Sequence, residues 1–341
     1  RPQNHGQPAR FATRFEEVAL LSLSSSDYTQ INALVEAVGA RYAGRNLSIS
    51  LPSLRIETTS VDLLERLKGN RSGGFTLAPE AATERMRNTI NKPIQSEQLL
   101  ETAQAIYSRG WPTLKLYFMI GHPNETLEDV QGIVDLCYQV MAVGKRALGR
   151  RAALNVGVST FVPKPHTPFQ WSPCDTPEQI FEKQRLLKSA LRQPGIKLSW
   201  THPDDTMLES WLSRGDRRLG AVIRRAWELG ARFDAWQEQF RIDIWRQAFE
   251  ESGLDPAFYT HRARQEDEVF PWEHIQTGVR KRYLLQEYRN SQEGVLRDDC
   301  RDNCYACGIL PEFSAVRSQN PGPYWMCPEV APKSLDAAVT E

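Results

Sequence analysis

The stretch TLKLYFMI (113–120) runs without interruption into Gly121-His122-Pro123-Asn124-Glu125, and then into TLEDVQGIVDLCYQVM (126–141). Eight residues rich in apolar and aromatic side chains, closed by glycine and proline, read as a strand and a tight turn. Beyond the turn, Leu127, Val130, Val134, Cys137 and Met141 recur at spacings of three and four, which puts them on one face of a helix. Thr126 and Asp129 form a capping pair at its start. The unit is strand, turn, helix.

The same unit repeats outward in both directions. Apolar, β-branched runs stand at EVALLSL (17–23), NLSISL (46–51), GGFTL (73–77) and NVGVSTFV (155–162), with helical spacing between them. Ser96 is placed to cap the helix SEQLLETAQAIYSRG, which ends at Gly110. Thr176-Pro177-Glu178-Gln179 is a second start signal, a capping threonine with proline in the first turn and Gln three on. Strands alternating with helices imply a right-handedly wound parallel sheet, so the fold class is α/β. Five strands are countable, fewer than a closed barrel of eight needs. A partial TIM-type (β/α) half-barrel over residues 1–195 is the expectation. Residues 196–295 read as a helical extension rich in Trp and Arg, 296–310 as a compact cysteine segment, and 311–341 as a mostly disordered tail.

Composition narrows the function classes. Of 341 residues, 40% are apolar and 25% charged, and Lys+Arg and Asp+Glu both number 42. A zero net charge argues against a broad nucleic-acid or membrane-binding surface. With no apolar run of membrane-spanning length and no signal peptide, a cytoplasmic protein without a membrane partner is expected. The six cysteines are Cys137, Cys174, Cys300, Cys304, Cys307 and Cys327. Clustered thiols in that setting favour a metal or redox role over disulfides.

In parallel α/β folds the chemistry sits where strands end. Four loops there are unusual in composition: Ser24-Ser25-Ser26-Asp27, Ala78-Pro79-Glu80-Ala81-Ala82, Gly121 to Glu125, and Pro163-Lys164-Pro165-His166-Thr167-Pro168. Three of the surrounding stretches, 73–92, 115–130 and 158–171, together resemble the radical S-adenosylmethionine (SAM) superfamily. They are most similar to the group of methylthiotransferases and cobalamin-binding radical SAM proteins. The run from His202 to Trp236 resembles an uncharacterised cobalamin-domain branch.

The resemblance implies an enzyme in which a C-x3-C-x2-C loop after the first strand holds a [4Fe-4S] cluster. Three thiolates leave one iron open to chelate SAM, which is reductively cleaved to start radical chemistry. It further implies cobalamin in the intact protein and an electron donor such as a flavodoxin or ferredoxin. The substrate stays open between RNA and a small molecule. On this pattern Ser24, Ser25, Ser26 and Asp27 would meet the methionine amino group. Arg55 would pair with the SAM carboxylate, and Glu80 would hold the ribose or methionine moiety. Gly121 and Pro123 would shape a turn against adenine, on which Phe161 and Pro163 would pack. Each has a plainer reading: a helix cap, a surface arginine, a first-turn acid, a tight turn, a proline-rich strand exit.

This chain departs from the pattern because no cysteine precedes Cys137. The expectation is a half-barrel lacking its first βα unit, with the cluster loop encoded ahead of Arg1, so that this truncated chain alone is inactive. Cys300-x3-Cys304-x2-Cys307 has the family spacing but follows no strand. It is read as a second metal site, with Cys327 as fourth ligand, and four thiolates would suit zinc or an auxiliary iron–sulfur cluster alike. The alternative of another class is a non-catalytic metal-binding scaffold built on those cysteines. Cys137 reads as a core thiol, His122 as a solvated loop histidine, and the arginines from Arg214 to Arg225 as a solvated helix face.

Overall fold

The computed structural model describes residues 17–19, 28–42, 48–50, 75–300, 302–322 and 327. Two compact units divide the chain. The first comprises Arg1–Arg87, Lys92–Phe161 and Thr176–Pro203. The second comprises Asn88–Asn91, Val162–Asp175 and Asp204–Glu341.

In the first unit, β1 (Glu17–Ala19) pairs in parallel with β2 (Ser48–Ser50), and α1 (Ile31–Arg41) lies between them in sequence. A second sheet takes β3 (Phe75–Glu80), β4 (Thr113–Ile120), β5 (Ala153–Thr160) and β6 (Ile196–Trp200), in that order and all parallel. The connections are α2 (Glu84–Thr89) with α3 (Ser96–Ser108), then α4 (Leu127–Leu148), then α5 (Pro177–Ala190). Strand order that follows chain order is how a (β/α) barrel winds, rather than a doubly wound sheet. The α/β class and the partial-barrel reading therefore hold.

Alternation decides which side of the sheet is covered. Leu114, Leu116, Phe118 and Ile120 of β4 are buried, as are Leu154, Val156 and Val158 of β5. Helix α3 packs on β4 and α4 on β5, while α4 also meets α3 and α5, so the helices share that face. Val130, Ile133, Val134, Cys137, Val140 and Met141 form the buried stripe of α4. Both capping boxes are present, Thr126 with Asp129 and Thr176 with Gln179.

Three expectations change. A sixth strand, β6, escapes notice because it pairs with β5 alone and none of its five residues is buried. Ser96 is not the cap of α3: Gln95 holds that position without a side-chain bond, and the Ser96 hydroxyl accepts from Arg87 at 2.8 Å. His122, expected in solvent, is 3% exposed.

The second unit is helical: α6 (Pro203–Arg214), α7 (Leu219–Glu228), α8 (Ile242–Glu251), α9 (Pro256–Thr260), α10 (Lys281–Glu293), α11 (Ile309–Glu312) and α12 (Ser314–Gln319). Its core gathers Trp171, Phe270, Trp272 and Leu284. A second cluster places Trp211 edge-on to Phe249, with ring centroids 5.0 Å apart. Trp227 and Trp236 are exposed. Arg214, expected on a solvated face, is completely buried.

Candidate functional site at the sheet rim

Gly121 ends β4 with φ at +87°, a conformation that favours glycine, and turns the chain outward. Glu125 folds back so that its Oε2 accepts the Gly121 N–H at 2.7 Å. The same carboxylate pairs with Lys183 Nζ of α5 at 2.8 Å, and His122 Nδ1 lies 3.4 Å from its Oε1. These three side chains are almost fully buried, with exposures of 3%, 9% and 0% for Glu125, Lys183 and His122. Burial pushes the Glu125 carboxyl up, but His122, Lys183 and the Gly121 N–H together hold it below the usual range. The His122 ring stacks on Phe161 at 5.1 Å and 25°, and its Nε2 is buried without a hydrogen-bond partner among the described residues.

Glu80 closes β3 with φ at +63° and lies in register with Phe118 of β4. Lys92 reaches back to it, donating to Glu80 Oε1 at 3.2 Å and to the Ala78 carbonyl at 2.6 Å. A second network ties the segment after β3 to the start of α4. Asp129 accepts from Thr83 at 2.7 Å and from the Thr126 N–H at 2.9 Å, and pairs with Arg85. Burial raises the Asp129 carboxyl and these donors more than reverse that.

The face opposite the helices is polar. Thr76, Lys115, Asn155 and Lys197 stand in one row across the four strands, and Tyr117, Gly157 and Ser199 in the next. Lys115, Lys197 and Ser199 are exposed. Tyr117 is 49% exposed and lies so close over Gly157 that a Cβ there would be 2.6 Å from its ring. Parallel sheets normally carry cover on both faces, so an open polar face is where a ligand can lie.

Of the sequence-derived residues, Gly121, Pro123 and Phe161 come together through His122, and Glu80 sits on the neighbouring strand end. Pro163 belongs to the second unit, where its carbonyl accepts from Arg214 at 3.2 Å. Ser24, Ser25, Ser26, Asp27 and Arg55 lie outside the described residues. Sequence reasoning missed Lys183, Glu125 and Lys197. The i,i+4 reach from Gly121 to Glu125 was the one local signal available.

The late cysteines are all free thiols, Cys300 exposed and Cys304, Cys307 and Cys327 half-buried. Ala306 and Gly308 both turn left-handed, with φ of +54° and +118°, and the Cys307 carbonyl accepts from the Arg280 N–H at 2.8 Å. Burial, then the charges of Cys300, Cys304 and Cys307, push the Cys327 thiol up. Among the described residues no group of three or more His, Cys, Asp or Glu is arranged to hold a metal ion. Cys137 is fully buried and its thiol is pushed up to about 12 by burial. No helix among the described residues is long and apolar enough to cross a membrane.

Comparison with known proteins agrees with the loop motifs. Residues 9–137 match the family model of the radical SAM superfamily. Over 210 residues, 62% of this chain and 44% of the relative, the sequence is 30% identical to the uncharacterized protein MJ0966 of Methanocaldococcus jannaschii. That match spans less than half of the relative's length. Among solved structures, dihydrodipicolinate synthase from Oceanobacillus iheyensis aligns over 83% of this chain and 98% of its own, at 11% identity and a TM-score of 0.24. Similarity that low carries no argument about either fold or activity.

Proposed function

We infer that the polypeptide, whose residues 9–137 carry a radical SAM superfamily domain, supplies the ligand-facing sheet of an enzyme that starts radical chemistry from S-adenosylmethionine. The match over residues 9–137 carries this reading. The open polar face of β3 to β6 supports it, because a flat, charged cofactor and its substrate need such a surface. In that role Glu80 and Lys92 orient polar groups at the strand ends, and the buried His122–Glu125–Lys183 group fixes the loop after β4. Lys115 and Lys197 would meet anionic groups on the sheet face.

The [4Fe-4S] cluster that the family implies would supply the electron that cleaves SAM. The matched segment does not fit it. Cys137 is the sole cysteine between residues 9 and 137, and it is sealed in the apolar stripe of α4 with a thiol that does not ionise near neutrality. The three thiolates therefore come from a loop outside that segment. Our reading puts this loop in coding sequence ahead of Arg1. Sequencing that region is expected to give a C-x3-C-x2-C run. Anaerobic reconstitution of the present polypeptide with iron, sulfide, dithionite and SAM is expected to give no 5′-deoxyadenosine. Product that disappears when Cys300, Cys304 and Cys307 are changed to Ala would move the catalytic cluster to those residues and overturn this assignment.

The late cysteines are better read as a second metal site. Their spacing supports it, and Ala306 and Gly308 on either side of Cys307 both turn left-handed, the backbone of a tight loop. Cobalamin stays a proposal resting on the branch resemblance alone. Elemental analysis of the purified chain is expected to find one tightly held zinc or an iron–sulfide chromophore. Either should be lost in a Cys304→Ser/Cys307→Ser variant, and a metal-free wild-type chain would sink the idea.

A further inference from the structure

Helix α6 has two faces. Met207, Trp211 and Arg214 are buried in the second unit. Asp205, Leu208, Glu209 and Leu212, spaced as one row of a helix, turn to the other side. With Asp234 and Phe240, from the chain between α7 and α8, that row lines a groove of about 610 Å³. The groove lies wholly within the second unit, and its volume is that of a small-ligand site.

The groove carries apolar surface into solvent. Leu212 is 45% exposed on the α6 side. On the other side Phe233 and Trp236, which bracket Asp234 in sequence, are 74% and 62% exposed. One turn holds both, since the Trp236 N–H donates to the Phe233 carbonyl at 2.9 Å. Neither ring meets another ring or a cation among the described residues, whereas the neighbouring Trp227 is covered by Arg232 at 4.6 Å. Single exposed apolar side chains mean little, but two aromatics and a leucine about one groove mark a docking surface.

Charge says what docks there. Three carboxylates line the groove and no basic residue does. Glu209 is paired with Lys164. Asp234 accepts only the Trp245 indole N–H, at 3.3 Å, and Asp205 has no ion-pair partner among the described residues. The nearby arginines are engaged elsewhere, Arg246 with Asp204 at 2.9 Å and Arg241 with Asp243 at 2.6 Å. The first turn of α6 accounts for Asp205 by itself, but not for Asp234 across the groove. An apolar floor with uncompensated carboxylates on both walls suits a cationic partner and repels phosphates.

We propose that this groove docks a basic amphipathic helix of another polypeptide. Its apolar side chains would pack on Leu208, Leu212 and Phe240, and its lysines or arginines would pair with Asp205 and Asp234. The site is independent of SAM chemistry and is tested by binding alone. A synthetic amphipathic helix of leucine and lysine, labelled with fluorescein and titrated with the full chain, is expected to bind with an affinity that falls as salt rises. Counterparts with lysine changed to glutamate, or leucine to serine, should bind at least about tenfold more weakly. Asp205→Lys should weaken the lysine peptide to a similar degree and strengthen the glutamate peptide, a reversal that a folding defect does not produce. Leu212→Glu should weaken the lysine peptide, and Glu293→Lys, on the exposed end of α10, should not. No saturable binding, equal affinity for the serine counterpart, or an unaffected Asp205→Lys variant would overturn the proposal. A dimer in sedimentation that Leu212→Glu dissociates would also overturn it, in favour of a second copy of this chain.

Discussion

Lys183→Met is expected to destabilise the sheet-containing unit by about 3–5 kcal/mol, the usual cost of stripping one partner from a buried ion pair. Met keeps most of the volume, so the loss is electrostatic. With the ammonium gone, Glu125 keeps the Gly121 N–H at 2.7 Å and the His122 ring at 3.4 Å, in a place where its side chain is 3% exposed. Urea unfolding followed at neutral pH should show the deficit directly.

The pH dependence separates this cause from lost packing. In the wild-type protein the folded Glu125 carboxyl titrates below its unfolded value, so its contribution is complete above the ordinary glutamate range, near about 4.3, and is lost as pH falls through the folded value. In Lys183→Met the burial that opposes ionisation keeps His122 and the Gly121 N–H as counterweights but loses Lys183, so the folded pKa rises. The variant therefore has less stability to lose as pH falls. The gap between the two proteins should be widest near neutrality and close toward pH 4. Glu125→Gln placed on Lys183→Met should recover part of the loss at pH 7. Parallel stability curves from pH 7 to pH 4 would refute an ion-pair origin.

The contrast between these residues and their neighbours explains what the sequence could reveal. TLKLYFMI and the helix after it were legible because their burial alternates with periods of 2 and 3.6, which a local window reads. Both threonine capping boxes were legible for the same reason, since two residues three apart define each. Strand β6 was not: only Ile196 and Leu198 are even half-buried, so its alternation carries little apolar signal. His122 looked solvated because Gly121, Pro123, Asn124 and Glu125 flank it. Its ring stacks on Phe161 at the next strand end and lies beside Glu125, which Lys183 of the next helix but one holds. Lys183 itself sits in a helix of strongly polar composition, among charges it cannot be told from. The loop motifs suggested a resemblance to the radical SAM superfamily, whose model residues 9–137 match, because several short stretches in order carry more information than any contact does.

Arg214 shows the same limit, and its replacement should be the most damaging change in the second unit. Its three guanidinium nitrogens donate to the carbonyls of Tyr259, Pro163 and Ser172 at 3.1, 3.2 and 2.9 Å, and its own carbonyl accepts from Arg264 at 2.9 Å. One side chain thus ties the loop after β5 to α6 and α9. Burial, then the neighbouring Arg264, pushes its pKa down to about 10, so it is still a cation at neutral pH. Arg214→Met keeps the stem but leaves three buried carbonyls without donors, at about 1–3 kcal/mol each. A loss of about 4 kcal/mol and a fall in melting temperature on the order of 10 °C are expected. Arg214→Lys should rescue little, because an ammonium cannot reach three acceptors held at the corners of a planar fork. Amide exchange gives the sharper reading: the Arg264 N–H, bonded to the Trp171 carbonyl, and the Cys174 N–H, bonded to Thr260, should both lose protection in Arg214→Met. Full stability in the lysine variant, or unchanged exchange at those two amides in the methionine variant, would show that the three carbonyls find other donors and that the arginine is not what joins these segments.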